Sequence, residues 1–440
     1  MLENETKKPT KRAFLKGAVI IALGGFIAKV IGALYRIPLT NLIGGRGIGL
    51  YQLVYPTYCI LLTVSATGIP SSIAKLTAER IAKGQSTKPL FKTAMWLFVL
   101  IGAAGTALMV LLAPWIAKAQ GSKEVLGGYY TLAPAVLLVS VISVFRGWFQ
   151  GKNNMLPTAL SEVTEQLVKV AFGLVFAYLY RGNVQKAVVY LLLSVSLSEL
   201  AALLLMFILF KRAPKEETVQ NGGGRVAAKT VLKLSIPVTL SSILLPLSGF
   251  IDSVLAVRLM SKYAENAVTL YGLFSGGAVT VINLPVSVCY GVAVASVPSL
   301  ASAETGRKRK LFFSLFITAL IALPSAIGLY VFAGQAVRLI YRNLSGEELC
   351  ILIKLVKSFS LSAFTLSCVQ TLSACLTAQG KPKYSAFAML IAMIVKTVAY
   401  SFLLQKPEIS VLGLSHATNI GYLVAFSLDL LYNLIGLKAK

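Results

Sequence analysis

The run GGFIAKVIGALYRIPLTNLIGGRGIGLYQLVYPTYCILLTVSATGIP, residues 24–70, holds parts of two apolar stretches separated by one short loop. The first stretch reaches back to residue 14 and ends near 37. The second opens near 49 and closes near 74. A helix needs about 20 apolar residues to cross the hydrocarbon core of a bilayer, so each stretch is long enough to span. Working outward, the same pattern recurs along the 440 residues, and further spans are expected at 91–117, 129–149, 157–180, 185–210, 232–258, 271–300, 311–340, 350–378, 384–405 and 411–436. The spans must be helices, because separate segments in lipid have to satisfy every backbone group internally. The expected fold is therefore an all-α membrane protein of about twelve transmembrane helices.

The composition agrees. Hydrophobic residues make up 56% of the chain and charged residues only 13%, against about 25% charged in a soluble domain. No hydrophilic segment is long enough for a separate soluble domain. The net charge of +26 lies between the apolar stretches rather than in one basic stripe, which fits membrane orientation and anionic lipid headgroups and argues against a nucleic-acid partner. With twelve spans, the loops on the N-terminal side hold 26 Lys and Arg against 13 on the other side. By the positive-inside rule both termini are expected in the cytoplasm of a plasma-membrane protein. Residues 17–38 are too long for a signal-peptide core, so the first helix is expected to be retained. The five cysteines have no metal-ligand spacing, and the single histidine, His416, cannot form a cluster. With no nucleophile set, phosphate loop or metal motif present, neither an enzyme nor a cofactor is expected.

The chain repeats itself. Phe149-Gln150-Gly151-Lys152 precedes the fifth span and Ala378-Gln379-Gly380-Lys381 the eleventh. Gly25-Phe26-Ile27 in the first span matches Gly249-Phe250-Ile251 in the seventh, and Val168-Lys169 matches Val395-Lys396. The most polar connection runs through Gly222, Gly223 and Gly224 at the midpoint. The expected organisation is an N-terminal lobe over 1–210, a cytoplasmic linker over 211–231 and a C-terminal lobe over 232–440. Six helices per half bring both halves into the membrane from the same side, so the repeat is parallel, about an axis near the membrane normal. Two such lobes are expected to frame a central cavity.

Charges inside the spans are costly, by about 2.5–3.5 kcal/mol each on insertion scales, so each needs a reason. Lys29, Lys169 and Lys396 lie near the midplane and could form a cationic floor suited to phosphate. The bland alternative is internal pairing. Glu162, Glu165 and Lys169 share one helix face, so Glu165 can reach Lys169 one turn away. Arg36, Arg46 and Arg258 sit near the outer ends of spans, where snorkelling competes with gating or headgroup contact. Asp252 aligns one residue before the position equivalent to Lys29, so a pair across the lobe interface could stabilise a closed state. Glu199 and Asp429 are lone intramembrane acids, each a candidate for Na⁺ or H⁺ coupling or simply for polar neighbours.

Residues 24–58 followed by "GIPSSIAKLTAER", together with "FRGWFQGKNNMLPTALSEVTEQLVKV", resemble the stage V sporulation protein B family. That family is a polysaccharide-transporter branch of the multidrug/oligosaccharidyl-lipid/polysaccharide exporter superfamily, related to lipid II flippases. The resemblance implies two six-helix lobes, alternating access and export of an undecaprenyl-linked anionic sugar, a lipid-linked oligosaccharide, for cell-wall, spore-cortex or polysaccharide synthesis. It implies cavity roles for Lys29 and, more loosely, Arg36. Many relatives carry two further C-terminal helices. The alternative within the superfamily is a cation-coupled multidrug antiporter, which would favour acidic residues where Lys29 stands. A third class is a non-transporting membrane scaffold.

Overall fold

Proline or a polar cap starts six of the helices in the computed structural model, which describes residues 11–214, 228–301, 306–409 and 411–438. Among these residues the chain is helical with short turns and no strand. The elements are α1 (Lys11–Leu62), α2 (Ile69–Ala82), α3 (Lys88–Ala119), α4 (Leu126–Gly151), α5 (Leu156–Leu179), α6 (Val184–Arg212), α7 (Ala228–Ser242) and α8 (Leu244–Met260), followed by α9 (Ala267–Gly272), α10 (Val279–Ala301), α11 (Arg307–Val331), α12 (Ala333–Ile340), α13 (Gly346–Phe359), α14 (Leu361–Ala378), α15 (Pro382–Leu403) and α16 (Leu412–Lys438). A proline sits in the first turn of α2, α3, α5 and α15, where its missing N–H costs nothing. Ser345 and Glu348 close a reciprocal cap on α13.

The helix α1 is two helices in one. Gly44 has φ 68° and ψ −179°, a conformation open in practice only to glycine. The chain folds back there, so 11–43 and 45–62 are separate crossings. A wide turn over Thr63–Thr67 then carries the second crossing on into α2. Nine helical stretches among the described residues are long and apolar enough to span. The first of these is the bent pair. The helix α5 carries Glu162, Glu165 and Lys169, more charge than an ordinary span. The seventh crossing is split at Ile243 into α7 and α8, and the tenth at Ser360 into α13 and α14. Counted this way, the chain makes about twelve crossings. The expected span at 311–340 is shorter: α11 ends at Val331, and α12 follows as a separate short helix. The seventh crossing opens at 228 rather than 232. Most of the expected linker, 215–227, lies outside the described residues.

Lipid-facing surfaces are apolar. On α3, Trp96 and Trp115 are 63% and 67% exposed. Nineteen residues at about 1.5 Å each place them about 28 Å apart, close to the thickness of a hydrocarbon core, as an aromatic belt requires. Inside, α4 packs on α2, α3 and α6, while α5 packs on α1 and α6. In the other half α14 packs on α10, α11 and α16, and α15 packs on α16 and α8. The two bundles meet where the 45–62 limb of α1 crosses α9 and the turns after it. Gly45 and Gly49 face Thr269 and Val268, and Gly272 faces the Gly45 and Gly49 backbone. A β-carbon on Gly49 would strike the Val268 carbonyl. Small residues at these steps let the backbones touch, which is how membrane helices gain contact without a hydrophobic drive. Gln52 adds a hydrogen bond to the Ser275 carbonyl at 3.0 Å, and Asn41 adds one to the Ile340 carbonyl at 2.8 Å.

Candidate substrate cavity

Among the described residues, Arg36 lines two of the cavities that lie between the bundles. The first, about 360 Å³, is walled by α1 on one side, α5 on another and α10 of the second half. Lys169 lines it, with Tyr51, Tyr55, Gln166 and Asn283. The second, about 200 Å³, is walled by α8, α15, α16 and the 45–62 limb of α1. Lys396, Asp252, Ser248 and Tyr271 line that one.

The two cavities differ in charge. Lys396 Nζ donates to Asp252 Oδ2 at 2.7 Å and to Ser248 Oγ at 2.6 Å, so its charge is spent locally. Lys169 is 8% exposed and takes no hydrogen bond or ion pair among the described residues. The Arg36 guanidinium also has no acid partner among the described residues. Two cations therefore face one solvent-sized chamber with their charge unneutralised. Such an arrangement is unfavourable in a low dielectric unless an anion or water comes to it. The wall between them is polar and aromatic. Tyr51 and Tyr55 stack at 5.1 Å, and Tyr35, Gln166, Thr280 and Asn283 add hydrogen-bonding groups.

Several expected contacts are replaced by others. Glu165 does not take Lys169. Its Oε2 accepts from Arg146 Nη2 of α4 at 3.5 Å, and Arg146 Nε also donates to Ser161 Oγ at 2.9 Å. Helix spacing brings Lys169 near Glu165, but a guanidinium from the adjacent helix claims the carboxylate instead. Asp252 pairs with Lys396 inside the second half, and the expected pairing with Lys29 across the interface falls on a side chain that is not described. The Lys29 side chain lies outside the described residues, although Ala28 and Gly32 on the same helix line the first cavity. Glu162 is half-buried beside Gly25 and does not line the cavities described. Arg46 holds Glu124 of its own half at 2.6 Å on the exposed surface, and Arg258 is exposed in the last turn of α8. Neither arginine lines either cavity. Sequence reasoning missed Gln166, Asn283 and the tyrosine pair. Gln166 was findable, since it lies three residues from Lys169 on the same face.

The family model for polysaccharide biosynthesis proteins matches residues 14–304. The stage V sporulation protein B of Bacillus subtilis (strain 168) is 28% identical over 430 residues, covering 93% of this chain and 82% of that protein. The lipid II flippase MurJ of the same organism is 24% identical, covering 96% of this chain and 82% of that protein. Among solved structures, an inward-facing multidrug resistance MATE family transporter of the MOP superfamily superposes with TM-score 0.78 at 15% identity, covering 96% and 98% of the two chains. A lipid II flippase MurJ in an inward closed conformation superposes with TM-score 0.73 at 15% identity, covering 96% and 87%. At such identities the superpositions speak to the fold alone.

Proposed function

The chain belongs to the polysaccharide biosynthesis protein family, and from that premise we propose that it is a flippase for an undecaprenyl-linked anionic sugar. The single observation that carries the reading is the pair of unneutralised cations, Arg36 and Lys169, at one cavity between the two bundles. Pyrophosphate is the ligand class that such a pair suits: a planar guanidinium fork beside a compact ammonium. The stacked face of Tyr51 and Tyr55 suits a sugar ring. The hydrocarbon tail would stay in the lipid while the headgroup crosses through the cavity, so no bare charge enters the acyl region.

We infer that the two bundles, 1–210 and 232–440, act as rocking lobes with both termini in the cytoplasm. The glycine crossing of the 45–62 limb on α9 is then the outer closure. An inside-negative potential assists outward passage of an anion by about 2.3 kcal/mol per charge per 100 mV. The multidrug antiporter reading has the fold in its favour, but a cavity with two free cations repels cationic drugs. Relatives named for lipid II and sporulation support the lipid-linked substrate.

The test is rescue of a strain depleted of its lipid II flippase, with headgroup exposure measured at the outer surface. The wild-type chain is expected to restore exposure, and Lys169→Met or Arg36→Gln to reduce it by about 100-fold, the scale of losing a charged hydrogen bond in a dry site. Full rescue by the double variant, produced at wild-type level, would remove the basis of the proposal.

A further inference from the structure

Asn41 of α1 stands just before the bend at Gly44 and spends its whole side-chain amide on backbone groups. Its Nδ2 donates to the Ile340 carbonyl at 2.8 Å and to the Ile37 carbonyl of its own helix at 3.1 Å. Its Oδ1 accepts from the Asn343 N–H at 3.2 Å. Carbonyls only accept and an N–H only donates, so a single orientation of the amide serves all three. The bonds to Ile340 and Asn343 cross from the first half to the second. The Ile340 carbonyl is one of the last of α12, which that helix cannot satisfy by itself.

The far side of these bonds is fixed to the second half. Ala333 and Val337 of α12 are fully buried, and so is Tyr341 just beyond it. Tyr341 Oη donates to the Gly277 carbonyl at 3.3 Å, and its N–H donates to the Val337 carbonyl at 2.8 Å. Ser345 and Glu348 then cap α13. The turn between α12 and α13 is therefore held to its own bundle, and a separation of the halves has to break at Asn41. Two further side chains bond across the joint. Gln52 donates to the Ser275 carbonyl at 3.0 Å, and Gln120 donates to Ser253 Oγ at 3.1 Å. Both of those glutamines are buried. Asn41 is half-buried, Asn343 beside it is exposed, and both line an open groove of about 510 Å³. Water can replace the Asn41 bonds as they break, so they part at a smaller cost than bonds that leave buried groups unsatisfied.

We propose that Asn41 is the latch of the outer joint: it holds the α12–α13 turn of the second bundle against the first, and it is the first contact released when the halves part. The inference rests on the two bundles moving as lobes, and it adds the residue whose bonds set how readily they separate. Gly45, Gly49 and Gly272 let the backbones approach, but contact between bare backbones does not choose one register. An amide that must donate to Ile340 and accept from Asn343 does. Hydrogen bonds at a wetted rim are modest individually, so the latch can open and close in every cycle.

The experiment is double electron–electron resonance on the purified full chain in lipid nanodiscs. Spin labels are placed on Gly182→Cys of the first half and Gln335→Cys of the second, both exposed positions, in a Cys350→Ser background. With Asn41 intact, a main short distance and a minor long one are expected. Asn41→Leu keeps the size and removes all three bonds. It is expected to raise the ratio of long to short distances about tenfold, equivalent to about 1.4 kcal/mol. Asn41→Asp keeps the acceptor for Asn343 but sets a bare carboxylate oxygen against the Ile340 carbonyl, so at neutral pH it should open the joint at least as far. Acidification below the ordinary aspartate value of about 3.9 returns a proton to that oxygen and should close the joint again, a reversal that a packing defect does not show. Should Asn41→Asp not fold, Asn41→Leu decides alone. Distances unchanged in both Asn41 variants but lengthened in Gly49→Ala would overturn the latch and leave the moving lobes standing. Distances unchanged in all three would overturn both. An opening in Asn41→Asp that ignores pH would also overturn the latch. No substrate enters the measurement, so its answer is separate from the identity of the cargo.

Discussion

Helices α5 and α15 hold the same place in the two halves, yet their buried lysines behave in opposite ways. Each helix packs between the last helix of its half and the crossing that opens it. Each carries one lysine of equal exposure, 8% for Lys169 and for Lys396. Lys396 is neutralised at 2.7 Å by Asp252, and Lys169 is left free to the cavity. The repeat shows why. Aligning Gly25-Phe26-Ile27 with Gly249-Phe250-Ile251 puts Ala28 where the second half has Asp252, and Ala28 lines the cavity that Lys169 faces. One missing carboxylate leaves Lys169 without the counter-ion that Lys396 has, which is what the proposed anion site requires. Duplicated halves can thus divide labour by the identity of a counter-ion while their backbones stay alike.

The strongest way to break this contrast is to supply the missing acid. Ala28→Asp is expected to pair Lys169 internally and to lower headgroup exposure by about 100-fold, since a close charge pair in a dry site competes with the substrate phosphate by several kcal/mol. Folding should survive, because the new charge arrives with a partner. Unchanged export in Ala28→Asp would mean that Lys169 does not meet the substrate.

The next effect is on stability, in the second half. Lys396→Met leaves Asp252 buried without its cation, and removing one partner of a buried pair costs about 3–5 kcal/mol. Thermal unfolding in detergent should show a clear loss. The double change Lys396→Met with Asp252→Leu should recover most of it, since replacing the whole pair with apolar groups is often neutral. Lys169→Met should show no such loss, because no partner is stranded. Equal destabilisation by the two single variants would erase the distinction between the halves.

Much of this was legible beforehand and some was not. The apolar periods located the crossings, and the repeat located Lys169 and Lys396 at one depth. Spacing along a helix shows which residues share a face, but it does not rank a neighbour on the same helix against one on another. Glu165 was in reach of Lys169, yet Arg146 of α4 arrives with a second anchor at Ser161 and takes it. Asp252 was legible as an intramembrane acid, but its partner lies 144 positions away. The breaks at Ile243, Phe332 and Ser360 interrupt sequences that remain apolar, so hydropathy passes over them.

A smaller effect tests the joint between the halves. Gly49→Ala places a methyl against the Val268 carbonyl, a backbone atom that cannot swing aside. Overpacking of this kind costs about 1–3 kcal/mol, so the closed outer joint should lose population by roughly tenfold relative to an open one. In a Cys350→Ser background, a cysteine replacing the buried Gln52 should then react faster with an impermeant thiol reagent. A glycine of the second half, Gly272→Ala, should do the same, because both glycines press on one crossing. An effect from only one of them would show that the joint is not shared.

The least effect is expected at Arg46 and Glu124, despite their short 2.6 Å contact. Their side chains are 61% and 37% exposed. Water and salt screen such a pair, and exposed pairs contribute about 0–1 kcal/mol. Distance alone would rank this contact with Lys396 and Asp252, which lie at 2.7 Å, but burial separates them. Arg46→Gln should therefore leave unfolding temperature and headgroup exposure within error of wild type. A large loss of export without a loss of stability would assign Arg46 to the outer mouth of the transport path after all, and would extend the set of working cations in the first half from two to three.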